Sequence, residues 1–248
     1  FDLNRMAKEQ ATALEKIIER QSPNGGFAWF PGGKESWYMT QYILEGLGHL
    51  DRLGVKSIND DARVVRLIDN AVQFIDEQLI DYYNELKRRK VDMDKDNLSP
   101  IVIHYLYTRS FFMNYPIEGD LKKVVKTFLQ QTDDYWLNKG IYQEGMITLA
   151  LHRMDESPKT IKKIIKSLKE RSIRNKERGM YWKLDAGYYW YQLPIESHAL
   201  MIEVFDEVAE DEKIVEELKV WLLKAKQATH WKTTKSTAAA VYALLMNG

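Results

Sequence analysis

Acid–base chemistry is within reach of three side chains that stand at the starts of apolar runs. Glu196-x-His198 opens the run Ile195–Val208, and Glu144 opens the run Ile141–Leu151. If their loops converge, two carboxylates and an imidazole form a polar cluster able to move protons or to flank a scissile bond. The same residues have a structural explanation. A carboxylate in a first helical turn is favoured by the helix dipole, and a histidine in an apolar run is satisfied by packing and a hydrogen bond. That explanation is the preferred one, for His104 between Ile103 and Tyr105 as well. His49, His152 and His230 have no ligand spacing around them, so no metal and no cofactor are expected. Asp92-Met93-Asp94-Lys95-Asp96 approaches an Asp-x-Asp-Asp acid that could protonate an alkene, but lysine stands where the last aspartate is needed. The chain has no cysteine, which removes disulfides, thiolate metal sites and a cysteine nucleophile.

The elements that must position these groups are helices of two alternating kinds. Asn4–Arg20, Asp61–Arg89, Asp120–Gln131, Ser157–Asn175 and Asp211–Ala225 are charged and striped; Ile161, Ile164, Ile165 and Leu168 recur at spacings of three and four. Tyr38–Leu50, Pro100–Met113, Ile141–Leu151, Ile195–Val208 and Ser236–Met246 are apolar around most of their circumference and are expected to be enclosed by protein. Ser99-Pro100 and Ser157-Pro158 place serine at an N-cap and proline at the first helical position. Thr40, Thr234 and Thr237 are read as caps or close-packing residues. Strand signals are scarce, with a short hairpin expected only at Gly187–Leu193.

A glycine- and aromatic-rich loop feeding an apolar helix runs from Gln21 to Leu47, and weaker versions recur at Gly179–Phe205 and Trp231–Leu245. A repeated loop–helix phrase implies stacked helical hairpins. The inner helices are too apolar to line the exposed side of an open superhelix. A closed ring is therefore expected: all-α, an α/α toroid of about five outer–inner hairpins, with residues 1–248 as a single domain. Closure would gather Trp29, Trp37, Trp182, Trp190 and Trp231 at one end. Together with Tyr189 they form either an interaction surface or a plug over the apolar interior, and the sequence leaves both readings open.

With 45% apolar residues and 6 prolines, the chain is globular in composition. Lys+Arg and Asp+Glu both number 36, which gives no basic footprint for nucleic acid. The basic runs Lys87–Lys90 and Lys159–Arg178 are read as solvated outer faces. No apolar run approaches the roughly 20 residues needed to span a bilayer. The chain opens on Phe-Asp-Leu-Asn, without an initiator methionine or signal sequence, and is expected to be a piece of a longer protein.

Two phrases carry a family resemblance. Asn24-Gly25-Gly26-Phe27, then Pro31-Gly32-Gly33 and Trp37-Tyr38-Met39-Thr40-Gln41-Tyr42-Ile43-Leu44, resembles the thioester domain of bacterial α2-macroglobulin-type proteins. So does Trp231-x-x-Thr234-x-x-Thr237-Ala238-x-Ala240-x-x-Ala243-Leu244, placed like that domain's last inner helix, with Ile103-His104-Tyr105-Leu106-Tyr107 between them. The Gly-Gly-Phe turn alone is shared with terpenoid cyclases and protein prenyltransferases, which are built on the same barrel. The resemblance implies a non-enzymatic, complement-like domain of a multidomain periplasmic, cell-envelope or secreted protein. Its partners would be adjacent domains of the same polypeptide and, through the full-length protein, target proteases that it traps and inhibits. Contact with a membrane would come only through a lipid anchor outside this segment. The family's Cys-x-Glu-Gln thioester is absent here, since there is no cysteine and Glu9-Gln10 lies in an amphipathic run. A carbohydrate-active α/α-toroid glycosidase or lyase, using Glu144, Glu196 and His198, is the alternative.

Overall fold

The computed structural model describes residues 3–184, 187, 189, 193–229, 231 and 233–246. They form eleven α-helices, a 3-10 turn at Trp136–Asn138 and one two-stranded hairpin, so the all-α expectation holds. The chain divides into two compact units, Phe1–Val91 with Asn114–Val124, and Asp92–Met113 with Val125–Gly248.

The first unit is built on α4 (Ala62–Arg88), whose start is capped by the Asp61 carboxylate accepting from the Arg63 N–H at 2.9 Å. Its apolar stripe, from Val64 through Leu67, Ala71, Ile75 and Leu79, is buried. Burying each large aliphatic side chain contributes about 1.5–3 kcal/mol. Against it lie α1 (Leu3–Arg20), α2 (Trp37–Arg52) and the single turn α3 (Ser57–Asp60). The Ser36 hydroxyl caps α2 by accepting from the Met39 N–H.

In the second unit α5 (Pro100–Arg109), α7 (Ile141–Arg153) and α9 (Pro194–Glu207) are buried nearly all round, as their largely apolar sequences require. The helix α6 (Gly119–Tyr135) bridges the sequence of the two units. α7 packs on both α5 and α9, and Gly145 lets it lie directly against Leu200 and Met201. The striped helices α8 (Pro158–Arg171) and α10 (Glu212–Thr229) cover α7 and α9 respectively, and α11 (Thr234–Leu245) packs on α9.

Several local expectations are corrected. The helix expected over Ser157–Asn175 stops at Arg171, because Ile173–Asn175 (β1) pairs antiparallel with Gly179–Tyr181 (β2). The Asn175 side chain closes that turn by accepting from the Glu177 and Arg178 N–H groups at 2.8 and 3.1 Å. α5 ends at Arg109, short of Met113. Proline opens α5 and α8 as expected, but neither serine caps: Ser157 adopts φ 44° and its hydroxyl donates to Asp133 Oδ2 at 2.9 Å. α11 is not enclosed, since Val241 and Leu245 are 42% and 57% exposed. The hairpin expected at Gly187–Leu193 falls largely outside the described residues. Among the described residues no helix is long and apolar enough to cross a membrane.

Candidate functional site

The loop before α2 is assembled from backbone outward. Gln21 pins it to the first unit by donating from Nε2 to the Gly25 and Leu67 carbonyls, both at 2.9 Å. Gly25 has φ +86°, and a Cβ there would overlap the Asn70 carbonyl oxygen of α4. Phe27 then enters the core, its N–H donating to Thr40 Oγ1 at 2.9 Å, while its carbonyl accepts from the Ser36 N–H at 2.8 Å. An Ala28–Glu35 bridge closes the stem and leaves residues 29–34 projecting. On this stem Trp29 and Phe30 are 63% and 67% exposed. Trp29 stacks on Tyr38 at 5.8 Å, and Tyr38 on Tyr42 at 6.2 Å, giving a continuous aromatic ladder. Trp37 is half-buried against Tyr82.

The second loop repeats the device in the second unit. Gly179 (φ +77°) sits where a Cβ would strike the Glu217 carbonyl of α10, and Met180 and Trp182 follow it into the core. The Trp182 N–H donates to His198 Nε2 at 3.1 Å, and its indole N–H to the Leu168 carbonyl at 3.1 Å. Trp182, read from sequence as part of either an interaction surface or a plug over the interior, is a core residue. Tyr189 is 54% exposed, and Trp231 is half-buried with Lys226 Nζ 4.8 Å from its ring centroid. Trp190 lies outside the described residues.

His198 is fully buried, 3.5 Å from the Trp221 ring centroid and stacked on it. Its Nδ1–H donates to the Pro194 carbonyl at 2.6 Å, which leaves Nε2 as the acceptor that Trp182 uses. Burial lowers its pKa to about 4, against a smaller opposing effect of the Pro194 hydrogen bond, so the ring is neutral at pH 7. Glu144 and Glu196 are in the first turns of α7 and α9 and are both buried. Glu144 pairs with Arg171 at the end of α8; burial pushes its carboxyl up, and the arginine pulls it back down. Glu196 Oε1 accepts from the Ser236 hydroxyl of α11 at 2.9 Å. The three members of the proposed polar cluster thus answer to three different partners.

The other candidates have local duties. His104 is buried within α5. Asp92 accepts from the Asp94 N–H, and Asp96 is ion-paired to Lys139 at 2.8 Å, so the aspartate run shapes a connector. Among the described residues no group of acids and histidines could hold a metal ion. Thr233, not Thr234 or Thr237, caps α11, accepting from the Ser236 N–H at 3.0 Å.

Sequence reasoning missed the most elaborate polar constellation, at the carboxyl ends of α5, α7 and α9. Arg153, with a side chain 7% exposed, donates to Glu207 Oε1 and Oε2 at 2.8 and 2.6 Å and to Glu203 Oε1 at 2.5 Å. Glu203 also accepts the Tyr107 hydroxyl at 2.7 Å and the Tyr242 hydroxyl of α11 at 3.2 Å. Arg153 stacks over Phe111, 4.1 Å from the ring centroid. Burial works against the guanidinium charge, but Glu203 and Glu207 outweigh it and hold the pKa above its ordinary value. The available signal was Glu203 and Glu207, an i, i+4 acid pair in the largely apolar second half of α9. The members pair with one another across α5, α7, α9 and α11, which suits fastening four helices.

The fold defines the class: a mostly helical segment with one short β-hairpin among the described residues. No protein-family model matches the sequence, and no curated protein does. Among solved structures, trypsin-activated α2-macroglobulin from Escherichia coli is similar, with a TM-score of 0.54 and 19% identity over 94% of this chain. The likeness covers 14% of that chain, so the sequence spans a small part of the larger protein it resembles in fold.

Proposed function

We propose that residues 1–248 form one non-enzymatic α/α toroid, the thioester-type domain of an α2-macroglobulin-like protein outside the cytoplasm. Its part in trapping and inhibiting proteases would be mechanical, through packing against adjacent domains. The observation that carries this reading is the fold likeness across 94% of the chain to a minor segment of a macroglobulin. No thioester can form within a chain without cysteine, so any covalent capture would depend on sequence elsewhere. The exposed Trp29–Phe30 tip, Tyr189 and the open Val241–Leu245 stripe of α11 are the surfaces proposed to meet neighbouring domains. Internal partners for Glu144, Glu196 and His198 favour this reading over a carbohydrate-active enzyme.

The test uses the full-length parent protein incubated with trypsin. Entrapment is expected to spare cleavage of a small chromogenic peptide while suppressing digestion of casein. The 248-residue chain alone is expected to do neither. A parent protein that leaves casein digestion unchanged overturns the proposal.

A further inference from the structure

α8 concentrates charge in a chain that is neutral overall. Its 14 residues carry Lys159, Lys162, Lys163, Lys166, Lys169 and Arg171 against Glu170 alone. Arg171 is committed to Glu144, and Lys169 to Asp211 at 2.8 Å; Lys166 reaches Glu170 at 3.8 Å. Lys159, Lys162 and Lys163 have no acidic partner among the described residues. Lys159 with Lys163, and Lys162 with Lys166, are like-charge i, i+4 pairs, which destabilise an isolated helix.

Beside Lys162 runs a groove of about 390 Å3, lined also by Lys166, Lys169 and Glu170, three cations against one acid. Its floor is Ile161 and Ile165 of α8 with Val208 and Ala209 after α9, all half-buried; Lys162 and Lys166 stand exposed along it. Both features are unfinished in the same place, one needing apolar cover and the other negative charge. An acidic amphipathic helix supplies both. Ile161 and Ile165 repeat about every 6 Å along α8, the spacing of leucines at i and i+4 on a second helix, with flanking carboxylates reaching the lysines. A bilayer fits less well, because surface-bound helices project their apolar residues into lipid, whereas these lie recessed.

We propose that the α8 groove docks an acidic amphipathic helix of a partner polypeptide. The site is independent of the macroglobulin reading. The probe is a capped, fluorescein-labelled peptide of three Glu-Leu-Ala-Glu-Leu-Leu-Glu heptads, titrated with the 248-residue chain and followed by fluorescence anisotropy. Saturable binding is expected, weakened roughly 10-fold by Lys162→Glu with Lys166→Glu and by a similar factor in high salt. Ile165→Ala is expected to weaken it at unchanged charge, and Lys122→Glu, on α6, to leave it intact. Circular dichroism establishes that each variant is folded. Absence of saturable binding, or equal loss with Lys122→Glu, overturns the proposal. So does capture by phosphatidylglycerol vesicles that requires Lys162 and Lys166 when the peptide does not bind.

Discussion

Replacing Arg153 by methionine keeps an apolar stem in place and deletes the charge that holds the second unit's polar network. The loss can be worked from the contacts. Glu207 loses a two-pronged interaction at 2.8 and 2.6 Å but is 13% exposed and can recover water. Glu203 cannot, because its side chain is 2% exposed; it keeps the Tyr107 and Tyr242 hydroxyls but loses the Arg153 guanidinium. Stranding one member of a buried ion pair costs about 3–5 kcal/mol, and loss of the contact over Phe111 adds about 0.5–1 kcal/mol. The relaxation open to Glu207 places the expectation at the lower end, about 3–4 kcal/mol. Adding Glu203→Leu removes the stranded charge, so the double variant should recover about 2 kcal/mol relative to the sum of the singles. Urea unfolding followed by far-ultraviolet ellipticity and tryptophan fluorescence measures both. A cost below about 1 kcal/mol for Arg153→Met, or additivity within about 0.5 kcal/mol, would refute the view that the network fastens these helices.

The remaining predictions concern the loops and the open face. His198 has a folded pKa near 4, below its unfolded value of 6.5, so its contribution is fully present above pH 6.5 and is lost as pH falls toward 4. That loss should approach about 3 kcal/mol, and His198→Gln should flatten this part of the stability–pH curve while costing stability at pH 7. Gly25→Ala combines a φ of +86° with a collision against the Asn70 carbonyl and should destabilise by about 2–4 kcal/mol; Gly32→Ala, φ +77° with open space around it, should cost about 1 kcal/mol. Thermal melts of the two variants separate backbone strain from close approach. Val241→Lys with Leu245→Lys should leave the unfolding free energy within about 0.5 kcal/mol of wild type while reducing binding of a hydrophobic dye; a large destabilisation would mean the α11 stripe is covered.

Helix existence was legible wherever a stripe or an unbroken apolar run was long enough. α4 spans Ala62–Arg88 against an expected Asp61–Arg89, and α9 spans Pro194–Glu207 against Ile195–Val208. The β1–β2 hairpin was not, because Ile173–Asn175 continues a basic helical pattern and its pairing is set by tertiary contact with α10. Composition also misled for α11: a helix with no charged side chain beyond its first turn leaves Val241 and Leu245 in water. Apolarity states what a helix would prefer to have around it, not what the chain supplies. At the candidate site, Glu144, Glu196 and His198 were legible as types at helix starts. Their partners were not, since Arg171 is 27 residues from Glu144 and Ser236 is 40 from Glu196.

Those partners explain why the helix starts look catalytic from sequence. Two peptide donors enter buried ground at Phe27 and Trp182, each just after a glycine that presses the loop onto α4 or α10. Left unpaired, each would cost about 1–3 kcal/mol. In the first unit Thr40 accepts the hydrogen bond, and in the second His198 does, each from the opening turns of an apolar helix. The acids sit at the amino ends of α7 and α9, where the dipole favours them, and Arg153 sits at a carboxyl end, where it favours a cation. One physical requirement, satisfying polar groups at both ends of enclosed helices, therefore accounts for the histidine, the acids and the arginine alike. An imidazole whose two nitrogens are already spent on a loop and a helix carbonyl has no proton to offer a substrate. A crystal structure with a ligand contacting His198 Nε2 in place of the Trp182 N–H would sink that argument.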